Sequence, residues 1–172
     1  MDSDEILLAK IGLCLIQLQR VEHTLSVCIA AMPNLSGIDI TSDALLNKDS
    51  RKRKYTLGQL LSPLKSQLSL GVLEDRLTLF LKYRNDFIHN HWILKSTDWP
   101  IKEPEYSAVS KFVTDLTLEA IAMERIFRGL FGVVVEITVG KIDVDITKTH
   151  PKLLPWLEER RFFYDALVLK KS

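Results

Sequence analysis

The chain has 172 residues, enough for one domain, or one domain with an appended segment, to bury a core without disulfides or metal. Hydrophobic residues make up 47% and charged residues 26%, a balance that excludes wholesale disorder. The formal net charge of +1 lacks the basic excess of a dedicated nucleic-acid binder, yet leaves room for a small, locally basic site.

The acidic start, Met1-Asp2-Ser3-Asp4-Glu5, lacks the basic opening of a secretory signal, so a cytoplasmic location is expected. A first helix is predicted from Ser3 or Asp4 to Met32, with Asp4 and Glu5 at the positive end of its dipole and Pro33-Asn34 beyond its end. Leu7, Ile11, Cys14, Leu18, Val21, Leu25, Cys28 and Met32 recur at alternating spacings of three and four, which makes one packed stripe. A neighbouring row reads Leu8, Leu15, Glu22, Ile29, so Glu22 stands where a leucine would fit and needs a partner if buried. Cys14 and Cys28 are about 21 Å apart along such a helix, too far for a disulfide, and read as buried thiols suited to a reducing compartment.

Residues 33–55 are expected to form a loop with one short helical turn. They hold the dense basic run Arg51-Lys52-Arg53-Lys54, read either as a solvated loop or as a nucleic-acid contact. A second helix is expected over Thr56–Leu68, kinked or split at Pro63. A third is expected over Val72–Trp92, with Leu73, Leu77, Phe80, Phe87 and Ile88 on its apolar stripe. A fourth is expected from Glu105 to near Gly129, with Val109, Phe112, Val113, Leu116, Leu118, Ala120, Ile121, Met123 and Phe127 mostly inward. Leu130–Val139 has strand composition but also suits an extension of the fourth helix, the reading favoured because no partner strand is evident. Ile142–Ile146 reads as extended loop, Pro151–Pro155 as a break, and Trp156–Leu169 as a last short helix. The expected organisation is all-α: a bundle of four to five helices over residues 1–139, then an irregular extension, 140–172, packed on it. No apolar run is long enough for a membrane span.

There is no phosphate-cradling glycine loop, no zinc-type Cys/His cluster and no nucleophile elbow, so neither metal nor cofactor is expected. The pointed segment is Tyr83-Arg84-Asn85-Asp86-Phe87-Ile88-His89-Asn90-His91-Trp92. Arg84 lies in line with the apolar stripe of the third helix, about 20° from His91 and about 140° from His89. A guanidinium there is either paired, with Glu22 or Asp86, or lines a cleft. Its planar fork of donors matches phosphate oxygens, and a histidine exchanges protons near neutrality. Such a pair suits RNA cleavage without metal: the imidazole helps the 2′-hydroxyl attack the adjacent phosphate, and the guanidinium stabilises the growing negative charge. Plain structural readings stand beside this one: a solvent-facing His89, and His91 packed or capping near the helix end.

Arg84-Asn85, three residues, then His89 resembles the Arg-x4-6-His signature of the HEPN superfamily, the higher eukaryotes and prokaryotes nucleotide-binding domains. The close resemblance covers about ten residues, and the helical pattern extends it loosely over 3–130. It implies a helical bundle with a long first helix and the motif on a later one. It implies a homodimer whose site forms between protomers, and an RNA or nucleotide ligand. Many members are metal-independent endoribonucleases of toxin or abortive-infection type. By resemblance Arg84 and His89 would be catalytic, with Asn85, Glu22 and His91 in support. A toxin branch reads Arg-x4-His-x-Tyr, and His91 stands at the tyrosine position, which puts in doubt control of that tyrosine by an antitoxin. The family also includes members that only bind nucleotides or act as scaffolds, so the alternative is a non-catalytic interaction module with a structural Arg/His motif.

Overall fold

The computed structural model describes residues 3–31, 72–89, 103–139 and 151–168. The expected helix at Thr56–Leu68, the run Arg51–Lys54, His91 and the expected loop at Ile142–Ile146 lie outside the described residues. Within them the chain is an all-α bundle: α1 (Ser3–Ala31), α2 (Val72–His89), α3 (Glu105–Val139), a 3-10 turn (Pro151–Leu153), α4 (Leu154–Glu158) and α5 (Arg160–Val168).

The three long helices start where the sequence supplies negative charge to the dipole: Asp4 and Glu5 in α1, Glu74 and Asp75 in α2, Glu105 in α3. The first turn of α3 closes with the Ala108 amide donating to the Pro104 carbonyl at 3.3 Å. α3 continues through Val139 without a break. The branched run Val133–Val135 is half-buried along it, so packing outweighs its β-propensity. The C-terminal helix departs from expectation. It starts earlier, at Leu154, and it is interrupted between Glu158 and Arg160. Pro155 does not break the chain but sits in the first turn of α4, where its missing N–H leaves no helical hydrogen bond unmade.

α1 and α3 run side by side in the same direction. Tyr106 donates to the Ser3 carbonyl, Lys10 to Ser110, Arg20 to Glu124 and the Cys28 thiol to the Phe127 carbonyl, so contacts advance together along both helices. Leu7, Cys14, Val21, Leu25 and Cys28 are fully buried against α3, the stripe that three-four spacing predicts. α2 meets α3 in the opposite sense, Arg76 with Glu119 and Tyr83 edge-on to Phe112, and buries Leu73, Leu77, Phe80 and Phe87. On α3, Val109, Val113, Leu116, Ala120, Met123 and Phe127 face the core. Leu118 and Ile121, read as inward with the rest, are 61% and 37% exposed because they project on the side away from α1 and α2. Buried Ser26 and Thr117 satisfy their hydroxyls on the carbonyls of Glu22 and Val113, one turn back.

α4 and α5 cross the end of α3 at two glycines. A Cβ at Gly129 would lie 2.4 Å from the Glu159 carbonyl oxygen, and one at Gly132 2.9 Å from that of Trp156. The pair therefore lets backbone approach backbone, and the crossing is sealed by Phe163 and by Phe131 stacked edge-on to Trp156.

Candidate functional site

Arg84 falls one turn after Phe80 on α2, at a position whose neighbours along the stripe are buried. Its side chain is only 16% exposed, so its charge needs compensation within the protein. Nη2 donates to Glu22 Oε1 at 2.6 Å, and Nη1 donates to Asn85 Oδ1 at 3.1 Å. Nε is buried and makes no hydrogen bond. Glu22, itself 25% exposed, is the carboxylate that replaces an apolar residue in the row Leu8, Leu15, Glu22, Ile29. The row thus ends in a hydrophobe, Ile29, buried to 5% exposure, and the carboxylate before it reaches across to α2.

Of the residues singled out in sequence, the structure brings Glu22, Arg84 and Asn85 together. His89 closes α2 and is exposed. It lies five residues beyond Arg84, which places it about 140° round the helix and about 7.5 Å further along. Within one chain the guanidinium turns toward α1 and the imidazole stands on another side of α2.

Two features escaped the sequence reading. Glu124, 5% exposed, is shared by two guanidinia: Arg20 at 3.0 Å and Arg128 at 2.6 Å. The i,i+4 spacing of Glu124 and Arg128 was a visible signal, whereas nothing in the sequence tied Arg20 to either. The second is a cavity of about 400 Å³ between α2 and α3, lined by Leu79, Phe80, Tyr83, Phe112 and Leu116, with Asp115 and the bidentate Arg76–Glu119 pair at its polar edge. That pair raises the Arg76 pKa above its ordinary value, the Glu119 hydrogen bond being the main cause.

Both cysteines are buried and unbridged. Burial pushes the Cys28 thiol well above its ordinary value, against smaller opposing hydrogen bonds from the backbone. Burial also raises Cys14, opposed by a hydrogen bond with Thr117. Among the described residues no group of three or more His, Cys, Asp or Glu side chains could hold a metal ion. Among the same residues no helix is long and apolar enough to cross a membrane.

Compared with family models, with curated proteins and with solved structures, the chain matches none.

Proposed function

We propose that this is a HEPN-like protein that binds RNA or a nucleotide phosphate as a homodimer in the cytoplasm, with metal-independent endoribonuclease chemistry of the toxin or abortive-infection type. The observation that carries the reading is the setting of Arg84. Its guanidinium is oriented by Glu22 on one side and Asn85 on the other, and an exposed His89 ends the same helix. The two bonds named for its terminal nitrogens use two of five N–H donors, and a phosphate would approach the remaining terminal ones.

In the proposed reaction His89 takes the 2′-hydroxyl proton, the 2′-oxygen bonds to phosphorus, and the bond to the 5′-oxygen breaks. The leaving oxygen collects a proton and a cyclic phosphate remains. Arg84 holds the phosphate and offsets its added negative charge. Because Arg84 and His89 of one chain diverge by about 140°, the reading pairs groups from two protomers. His91 is assigned a supporting role beside His89, Arg51–Lys54 are assigned RNA contacts, and an antitoxin protein is a candidate regulator.

A second reading is favoured by one distance. The 2.6 Å Arg84–Glu22 pair already compensates the charge, as a purely structural ion pair in an interaction module would. Incubating the purified protein with single-stranded RNA and EDTA separates the readings. Cleavage that survives chelation and disappears in folded Arg84→Ala and His89→Ala variants supports the enzyme. Wild-type protein that neither binds nor cleaves RNA leaves the structural pair.

A further inference from the structure

We propose that the cavity between α2 and α3 binds a small neutral aromatic molecule that carries one hydrogen-bonding group, of the indole or phenol type. The inference goes beyond the Arg84 setting and does not depend on RNA chemistry.

The cavity holds about 400 Å³, within the roughly 300–1,000 Å³ of small-molecule sites. Its deeper residues are apolar: Phe80 and Leu116 are buried, while Leu79 and Tyr83, 48% and 39% exposed, stand nearer the opening. Water inside such a space finds few polar partners, so apolar ligand surface gains by replacing it. The lining runs from Arg76 to Tyr83 on α2 and from Phe112 to Glu119 on α3. Each stretch is two turns, about 10 Å of helix. That length suits a small molecule and is too short a groove to seat a partner's helix.

Three observations choose the ligand's chemistry. The first is that Tyr83 and Phe112 meet edge to face in the lining, their centroids 6.0 Å apart and their planes at 87°. A third ring placed against them finds both an edge and a face to pack on. The second is that the charges at the rim are closed on one another. Arg76 Nε donates to Glu119 Oε1 at 2.6 Å and Nη2 to Oε2 at 2.9 Å, which occupies both carboxylate oxygens. Asp115 accepts from Lys111 Nζ at 2.6 Å. A charged ligand would give up its hydration there and meet no open counter-charge, so the occupant is neutral. The third is the Tyr83 hydroxyl, which makes no hydrogen bond among the described residues. A phenol both donates and accepts, so it can meet the single N–H or O–H of such a ring.

The test titrates the full chain with indole and follows binding by NMR, with tryptamine and indole-3-acetate as charged controls built on the same ring. The expected result is saturable, sub-millimolar indole binding with intermolecular NOEs to the Tyr83 and Phe112 rings. Both charged analogues are expected to bind at least tenfold more weakly. Leu79→Trp sets a larger ring at the half-exposed rim and is expected to abolish indole binding while the helical circular dichroism is kept. Tyr83→Phe keeps the wall and removes the hydroxyl, and is expected to weaken indole about fivefold while leaving toluene binding unchanged. No saturable shift, NOEs scattered away from the cavity, equal binding of the charged analogues, or full indole affinity in folded Leu79→Trp would overturn the proposal. If Leu79→Trp unfolds, Tyr83→Phe decides, and undiminished indole affinity there overturns it. RNA cleavage enters none of these readouts, so failure here and failure of the proposed function are separate results.

Discussion

Glu22 and Arg84 are 62 positions apart in the chain and meet at 2.6 Å between α1 and α2. With side chains 25% and 16% exposed, the pair is shielded more than a surface ion pair and less than a sealed one. Truncating Arg84 to alanine should therefore cost about 2 kcal/mol, between the two limits. A double-mutant cycle of Arg84→Ala and Glu22→Ala in urea should return a coupling of about 1 kcal/mol or more. Strict additivity would show that the contact contributes nothing to stability.

Glu124 should be the more sensitive carboxylate. It is 5% exposed and answers two guanidinia, so Glu124→Ala leaves Arg128 without its near partner and should cost about 3 kcal/mol. Lys111 and Asp115 make a pair of similar length, 2.6 Å, but are 77% and 58% exposed. After solvent screening, Asp115→Ala should shift stability by no more than about 0.5 kcal/mol. Equal losses in chemical denaturation would contradict the burial argument.

The glycine crossing predicts an order between two substitutions. Gly129→Ala drives its Cβ to 2.4 Å from a carbonyl oxygen and 2.6 Å from the Phe163 Cβ, neither free to swing aside. Gly132→Ala meets first the Arg160 Cγ, at 2.7 Å, part of a flexible side chain. Gly129→Ala should cost about 3 kcal/mol and Gly132→Ala about 1–2 kcal/mol. Limited proteolysis should also cut near Glu159 sooner in Gly129→Ala, and unchanged protection there would count against the tight crossing.

The two thiols predict a loss of stability in alkali. Both are raised in the folded protein from the ordinary value of 9.0, so above that pH the unfolded chain releases protons that the folded one retains. Stability is full below pH 9.0 and falls as the pH climbs toward the raised values. Melting temperatures measured between pH 8 and pH 10.5 should decline less in Cys28→Ala than in the wild type, once the offset from the lost side chain is subtracted. Identical slopes would argue against burial as the cause.

The sequence determined the inward positions of α1 and α2 and the unusual place of Arg84, because helical periodicity is a property of one segment read along its own axis. Leu7, Cys14, Leu73 and Phe80 were legible in this way. The spacing also placed Glu22 in an apolar row, but it offered Glu22 and Asp86 alike as partners of Arg84. The relative rotation of α1 and α2 is what brings the Glu22 carboxylate to Arg84. Leu118 and Ile121 turned outward for the same reason: periodicity does not say which sides of a long helix neighbours will cover. The close approach at Gly129 and the sharing of Glu124 by Arg20 and Arg128 were likewise decided in tertiary structure, since each depends on how one helix crosses another.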